Sequence, residues 1–292
     1  KAPNPTILAD MNAPFAPLAT PKVISGEILH GAFYQFVPLD DVDTVAQAFR
    51  DLTQGLLGTV WVAPEGINGM VAARSEALDA FEASLRSSFG GRFAQLRLQR
   101  SACATPPFKR MRVLQKPELV PLGVTGVDVT RPYGVQLEPQ AWRALMAQDN
   151  LVLLDNRNSF EFRLGHFQKA IDPGVTHFRD FAQYVQAHAE TWRANGQRVA
   201  MYCTGGIRCE KTSAWMAGMG LDVYQLRGGI LNYFAQMPDA AQDWTGECFV
   251  FDNRIALDTQ LQETNTTLEQ VYQAEPDGAW RLARARRLMA DD

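Results

Sequence analysis

The ten residues from Tyr202 to Lys211, YCTGGIRCEK, bring together residue types that can do chemistry. Cys203 ends an apolar run and is followed by two glycines, an arginine and a second cysteine, Cys209. Three interpretations are open for Cys203: a nucleophile in an anion-binding loop, one half of a redox pair with Cys209, or a buried thiol beside a turn. The residues between the two cysteines favour the first.

Gly205 and Gly206 predict a loop whose backbone N–H groups turn inward, because glycine adopts positive φ without steric cost. The helix predicted after Arg208 points its first N–H groups at the same place. Both features and the arginine charge stabilise a thiolate, so we predict a pKa for Cys203 below the usual value of ~8.5. We predict that Cys209, in the first helical turn, points away from the loop as a packing residue; a resolving role stays open.

Three apolar runs, LVLLDNRN, QRVAMYC and DVYQLRGG, predict strands buried on both faces of a parallel sheet. Helical segments alternate with them, which predicts an α/β domain over residues 132–240. Ligands of such sheets bind beyond the carboxyl ends of the strands. We therefore expect Asp155–Asn158, Cys203–Arg208 and Arg227–Gly229 to meet at one edge.

The preceding residues, 29–123, alternate shorter strands and helices in the order β-α-β-β-α-β, which predicts a ferredoxin-like α+β domain. Within it, Asn68-Gly69 is a strong signal for a hairpin turn between two strands. Residues 1–28 are predicted to be a flexible lead-in, and residues 241–292 a C-terminal extension with an extended segment and one or two helices.

The amino-acid composition excludes several classes of protein. Hydrophobic residues make up 46% and charged residues 21%, as in soluble proteins with sizeable cores. No apolar window is long enough for a membrane span, and no secretory signal is recognisable, so the four cysteines fit a reducing, cytoplasmic compartment. The cysteines and histidines lack zinc-ligand spacing. We expect no metal, identify no cofactor, and find no sign of an obligate protein partner.

The loop YCTGGIRCEK resembles the active loop of the rhodanese superfamily, with Cys203 and Arg208 as its first and last residues. LLDNRNSFEFRLGHFQKAI resembles the Asp-x-Arg stretch of that fold, and QLRGGI resembles its Gly-Gly turn. The six-residue loop is typical of sulfur carriers, whereas tyrosine-phosphatase-like relatives have one residue more. The resemblance implies a catalytic Cys203, an active loop and a supporting group. The loop consists of Thr204, Gly205, Gly206, Ile207 and Arg208, and the supporting group of Asp155, Arg157, Asn158 and Lys211.

Five segments in order resemble a narrower family, the bacterial rhodanese-domain tRNA uridine hydroxylases. They are APEGINGMVA, FKRMRVLQKPELVPLG, DNRNSFEFRLGHF, YCTGGIRCEK and GECFVFDNRIAL, and they cover about residues 32–257. The resemblance implies an oxidoreductase of tRNA modification. Such an enzyme converts the wobble uridine, position 34 of the anticodon stem-loop, to 5-hydroxyuridine with molecular oxygen as co-substrate. The alternatives are a thiosulfate or persulfide sulfurtransferase and a non-enzymatic RNA-binding or redox-sensing module.

Residues 92–131 hold eight basic and two acidic side chains, a local charge of 8 − 2 = +6 in a chain of net charge −4. Alone, such a segment indicates a solvated face; with the resemblance, we predict contacts to RNA phosphates. The predicted contact residues are Lys109, Arg110, Arg112 and Lys116. Unstacked anticodon bases favour an aromatic partner near Cys203. Phe108, Phe160 and Tyr202 are the candidates, and the equal alternative for each is a position in the core.

The tail segment WRLARARRLM predicts an amphipathic helix. We expect Trp280, Leu282 and Leu288 to form its apolar side, and the arginines to form its solvent-exposed side. Phosphate contacts by these arginines are the alternative.

Overall fold

The computed structural model describes residues 28–131 and 133–291, which form two compact units. Residues 28–121 and 247–291 belong to one unit, and residues 122–131 and 133–246 to the other. Residues 1–27, most of the predicted lead-in, lie outside the described residues. None of the helices in the described part of the chain is long and apolar enough to cross a membrane.

The N-terminal part of the first unit is a five-stranded sheet with two helices. Its strands are β1 (Ile28–Phe36), β2 (Leu57–Ala63), β3 (Gly66–Arg74), β4 (Gln99–Cys103) and β5 (Met111–Gln115); its helices are α1 (Val42–Leu52) and α2 (Ser75–Ser87). The order across the sheet is β4-β1-β3-β2-β5, and only β2 and β5 run parallel among neighbours. Phe33 of β1 packs against Phe49 of α1 and Phe81 of α2, with ring centroids 6.4 and 5.6 Å apart. The predicted ferredoxin-like order is confirmed, with β5 as an added edge strand.

The hairpin between β2 and β3 turns earlier than predicted. Ala63 pairs with Gly66, so Pro64 and Glu65 form the turn, while Asn68 and Gly69 lie within β3. A Cβ at Gly69 would lie 2.3 Å from the ring of Phe33. The glycine therefore makes room for a core aromatic side chain, and the sequence signal for a turn at this position was wrong.

The second unit contains a parallel sheet flanked by helices. Its strands are β6 (Val135–Leu137), β7 (Leu151–Asp155), β8 (Gly165–Phe167), β9 (Arg198–Tyr202), β10 (Asp222–Leu226) and β11 (Trp244–Gly246); its helices are α3 (Pro139–Met146), α4 (Ser159–Leu164), α5 (Phe181–Ala194), α6 (Ile207–Ala217) and α7 (Gly229–Gln236). The main sheet has the order β6-β10-β9-β7 with every neighbouring pair parallel, and β8 pairs with β11 separately. The predicted α/β class is confirmed. Because β9 lies between two strands, the residue that follows it leaves from the middle of the sheet edge.

The C-terminal residues belong to the same unit as the ferredoxin-like sheet. They form β12 (Cys248–Phe249), β13 (Ala256–Leu257), α8 (Leu268–Tyr272) and α9 (Gly278–Asp291). Arg254 is buried and donates to both carboxylate oxygens of Asp252, at 2.8 and 2.6 Å, and to Oγ of Ser101 at 3.0 Å. His30 Nε2 lies 3.6 Å from Asp252; burial, assisted by the Arg254 charge, lowers the pKa of His30 to about 3. A buried polar network therefore links the C-terminal segment to β1 and β4.

Candidate active site

The loop from Cys203 to Arg208 connects β9 to α6. Cys203 is 1% exposed, and its Sγ accepts a hydrogen bond of 3.2 Å from the backbone N–H of Gly206. Gly206 precedes the first residue of α6 with φ of +100°, a conformation that favours glycine. We predicted positive φ for both glycines, but Gly205 does not adopt it. One left-handed residue is sufficient to direct an N–H group at the sulfur and begin the helix.

Cys209 lies beside Cys203, and the prediction that it points away from the loop is wrong. Its side chain is hydrogen-bonded to that of Cys203. Asn156 holds it from the other side, donating through Nδ2 to Cys209 Sγ at 3.8 Å and to Thr212 Oγ1 at 3.0 Å. Because α6 begins at Ile207, its third residue faces the end of the sheet rather than solvent.

The two thiols have opposite pKa shifts. Burial by itself raises the pKa of Cys203. It is outweighed by the hydrogen bond from the Cys209 side chain, the charge of Arg208 and the N–H groups of Cys209 and Gly206, which lower the pKa from 9.0 to about 6. Burial and the neighbouring sulfur raise the pKa of Cys209 well above its usual value. At neutral pH, Cys203 therefore carries the negative charge and Cys209 the proton, and the predicted low pKa of Cys203 is confirmed.

Replacing Cys209 by alanine is expected to raise the pKa of Cys203, because it removes a hydrogen bond that stabilises the thiolate. Cys203 is deprotonated above its pKa, so the variant has less thiolate between pH 6 and its new pKa than the wild-type protein. Titration of thiolate ultraviolet absorbance, with Cys203→Ser subtracted, measures the midpoint. Cys103 does not interfere, since burial raises its pKa to about 11. The matched control is Cys248→Ala, a buried thiol of the other unit; a midpoint still near 6 in Cys209→Ala would contradict the assignment.

Arg208 is held by Glu161, which is not among the predicted site residues. The guanidinium donates to both carboxylate oxygens at 2.7 and 2.8 Å and to Thr204 Oγ1 at 3.3 Å. Although burial opposes ionisation, the charges of Arg208 and Arg157 keep the pKa of Glu161 below its ordinary value. Glu161 is the third residue of α4, after Asn158, which is a capping-box spacing. That spacing was the only sequence signal for it.

The predicted supporting residues lie around the end of β7 and on α6. Arg157 donates to both carboxylate oxygens of Asp155 at 2.8 and 2.6 Å and to the carbonyl of Gly165 at 2.6 Å. Its guanidinium lies 5.7 Å from the ring centroid of Tyr202, the residue before Cys203. Asn158 precedes α4, where its N–H donates to Glu161 at 3.1 Å. Lys211 is buried on α6.

The Gly-Gly turn before α7 contacts the loop through its backbone. The N–H groups of Ile230 and Leu231 donate to the carbonyls of Cys203 and Thr204 at 3.0 and 3.2 Å. Gly229 has φ of +68°, and a Cβ there would lie 2.4 Å from the Cys203 carbonyl oxygen and 2.5 Å from that of Thr204. The close approach of α7 to the active loop therefore requires glycine at this position.

The predicted phosphate-contacting residues lie in the first unit, on and beside the edge strand β5. Lys109, Arg110 and Lys116 are exposed, and Arg112 is half-buried. Two other cations of the basic segment are neutralised by ion pairs: Arg92 with Asp41 at 2.7 Å, and Arg100 with Asp79 at 2.6 Å and Glu82 at 2.7 Å. Of the six remaining basic residues, four lie on and beside β5, and the other two, Arg97 and Arg131, are also exposed.

The three aromatic candidates for base stacking are not available at the surface. Phe108, Phe160 and Tyr202 are all buried. Phe108 stacks on His30 at 5.9 Å, and Tyr202 packs edge-on against Phe167 at 4.8 Å. The structure therefore supports the alternative, in which all three rings belong to the core. Among the described residues, no group of three or more His, Cys, Asp or Glu side chains is arranged to hold a metal ion.

Comparison with known proteins gives matches for both domains. Residues 28–119 match the UPF0176 acylphosphatase like domain, and residues 138–236 match the Rhodanese-like domain. A Nitrobacter hamburgensis protein named tRNA uridine(34) hydroxylase is 43% identical over 238 residues, covering 80% of this chain and 92% of the relative. A protein of the same name from Legionella pneumophila strain Corby is 39% identical over 252 residues, covering 85% and 98%. A third, from Synechococcus, is 41% identical over 245 residues, covering 80% and 75%.

Proposed function

Because the chain belongs to the tRNA uridine(34) hydroxylase family, we propose that it hydroxylates C5 of the wobble uridine of tRNA with molecular oxygen. Cys203 is the reactive group. The structure supports this role because the Cys203 thiolate is stabilised. Its Sγ accepts hydrogen bonds from Gly206 and Cys209 and lies beside the charge of Arg208. These contacts lower the pKa of Cys203 to about 6. A thiolate at neutral pH is a strong nucleophile.

The thiolate fits the role of activating the pyrimidine ring. Addition of Sγ to C6 forms an S–C6 bond and moves the electron pair of the C5=C6 bond onto C5 and the O4 carbonyl. The electron pair on C5 then attacks molecular oxygen, which with one proton gives a C5 hydroperoxide. Two electrons and two protons from a dithiol reductant cleave its O–O bond, leaving a hydroxyl group on C5 and releasing water. After C5 is oxygenated, loss of its proton and expulsion of the thiolate restore the double bond. Thr204, Gly205, Ile207 and Arg208 are partly exposed around the buried Cys203, so we propose that the uridine approaches from the side of these residues.

The basic residues around β5 supply the charge that tRNA binding requires. We predict that Lys109→Gln, Arg110→Gln and Lys116→Gln, combined, weaken tRNA binding and lower the magnitude of the slope of log K against log salt. The expected decrease is about 0.7 to 0.9 for each phosphate that is no longer neutralised. Fluorescence anisotropy with labelled tRNA over a range of salt concentrations measures this slope. The control is Arg92→Gln, which removes a cation already paired with Asp41. Equal slopes for the triple variant and the control would reject this surface as the RNA-binding surface.

The proposed reaction is tested directly with an unmodified anticodon stem-loop as substrate. Because one atom of oxygen gas enters the product and the other is reduced to water, the assay includes a dithiol reductant as electron donor. We expect the mass of one added oxygen atom on the wobble uridine in air, the heavier product under heavy-isotope oxygen gas, and none without oxygen. A product whose oxygen comes from labelled water would reject the oxygen-dependent reaction.

The six-residue loop from Cys203 to Arg208 also favours a second candidate, sulfur transfer from thiosulfate or a persulfide. It predicts a persulfide on Cys203 after thiosulfate treatment and formation of thiocyanate from cyanide. Mass spectrometry of the intact protein and a thiocyanate assay separate the two candidates. If the protein forms thiocyanate over many turnovers but does not hydroxylate uridine, its function is sulfur transfer and not hydroxylation.

A further inference from the structure

Helix α9 exposes two of the three side chains that we predicted to form its apolar side. Trp280 is 50% exposed and Leu288 is 45% exposed. The half-buried positions are instead Arg281, Leu282, Ala285 and Met289, on the opposite side of the helix. The hydrophobic spacing correctly predicted a helix, and Leu282 is half-buried as expected, but the prediction for Trp280 and Leu288 is wrong. A large aromatic ring therefore lies in solvent on a helix that carries four arginines.

The four arginines of α9 are not equivalent. Arg281 donates to Asp277 at 2.6 Å, and Arg286 is paired with Glu269. Arg284 and Arg287 are exposed, and neither has a carboxylate partner among the described residues. Within the described part of the chain, carboxylates therefore neutralise the charges of Arg281 and Arg286 but not those of Arg284 and Arg287.

Arg284 and Arg287 share one face with the exposed tryptophan. Trp280, Arg284 and Arg287 are spaced i, i+4 and i+7, which places them on one face of an α-helix. The Arg284 guanidinium lies over the Trp280 ring, 5.3 Å from its centroid. The face therefore presents an aromatic ring next to two cations, and its exposed residues up to position 288 are Trp280, Ala283, Arg284, Arg287 and Leu288.

This combination matches the chemistry of RNA. Nucleobases stack on exposed aromatic rings, arginine adds cation–π contact, and phosphates bind the neighbouring cations. An apolar protein partner would use the ring and Leu288 but would leave both arginine charges unmatched. The positive charge of this face therefore favours a polyanion such as RNA over an apolar protein partner.

We infer that the face formed by Trp280, Arg284 and Arg287 is a second tRNA contact, in which an unpaired base stacks on Trp280 and the arginines bind adjacent phosphates. The inference rests on the proposed function for its choice of RNA. Because α9 belongs to the same compact unit as β5, that unit then supplies two RNA contacts, one on a strand edge and one on a helix.

Single substitutions in α9 test this contact by tRNA binding. Trp280→Ala is expected to weaken binding about tenfold through loss of stacking, and Trp280→Phe to recover most of it. Arg284→Gln and Arg287→Gln are each expected to lower the magnitude of the salt slope by about 0.7 to 0.9. Arg286→Gln is the matched control: it removes one charge from the same helix but from a side chain paired with Glu269, so the slope is unchanged.

Two results would overturn the inference. The first is wild-type affinity and salt slope in all of the Trp280, Arg284 and Arg287 variants. The second is unchanged tRNA binding together with a Trp280→Ala-dependent loss of a dimer in sedimentation, which would assign the face to a second copy of the chain. Hydroxylation is measured separately at saturating stem-loop. A wild-type protein without hydroxylase activity whose α9 variants still weaken tRNA binding would reject the proposed function alone.

Discussion

Replacing Cys203 by serine is expected to lower the rate of 5-hydroxyuridine formation on the order of a thousandfold or more. The substitution changes one atom, but a serine hydroxyl does not ionise near neutral pH, whereas the Cys203 thiol has a pKa of about 6. The N–H of Gly206 and the charge of Arg208 then have no anion to stabilise. Single-turnover assays with the anticodon stem-loop measure the chemical step apart from substrate binding.

The control for this variant is Cys103→Ser. Cys103 is also buried, but it lies in the other unit and burial raises its pKa to about 11, so it is a thiol at neutral pH. Both serine variants bury a hydroxyl group, but only Cys203→Ser removes a thiolate. We expect near wild-type single-turnover rates from folded Cys103→Ser. Equal rates in the two serine variants would contradict a chemical role for Cys203.

Replacing Gly229 by alanine is expected to reduce hydroxylation about a hundredfold, the scale of effect that a displacement of about 1 Å has on a reacting group. The new Cβ would lie 2.4 and 2.5 Å from the carbonyl oxygens of Cys203 and Thr204. Backbone atoms cannot rotate away as side chains can, so the active loop or the start of α7 must move. That movement breaks the hydrogen bonds from Ile230 and Leu231 to these carbonyls.

Gly174→Ala is the matched control for the effect of positive φ. Gly174 lies in the same unit with φ of +72°, close to the +68° of Gly229, but a Cβ there meets no atom within 4 Å. It therefore has only the conformational cost of a left-handed alanine, about 1 to 2 kcal/mol in the free energy of unfolding. Urea unfolding and single-turnover rates are measured on both variants. Gly229→Ala with the hydroxylation rate of Gly174→Ala would show that the close approach at Gly229 does not position the loop.

The sequence was sufficient to predict the parts of the site that depend on local structure. Cys203 follows a buried strand, Gly206 takes the positive φ that glycine permits, and α6 begins directly afterwards. Strand, turn and helix N-terminus are each encoded within a few residues, so the loop and its low pKa could be predicted. The parallel sheet followed in the same way from three apolar runs.

The parts that failed depend on contacts between distant residues. Glu161 and Arg208 are 47 residues apart in the chain, and no spacing rule relates them. The direction of the Cys209 side chain is set by Asn156, which is 53 residues away. The hydrophobic periodicity of α9 predicts an amphipathic helix but does not determine which side packs against the rest of the unit. Trp280 was therefore assigned to the wrong side. In each case the local sequence allows more than one arrangement, and contacts with distant residues determine which one forms.

Hydroxylation of the wobble uridine through the Cys203 thiolate can be tested in tRNA from bacterial cells that lack this protein. Cells are complemented with the wild-type protein or with Cys203→Ser at equal expression, and the nucleosides at position 34 are identified by mass spectrometry. We predict that the wild-type protein restores 5-hydroxyuridine and its derivatives and that Cys203→Ser does not. Restoration of these nucleosides by Cys203→Ser would contradict the account.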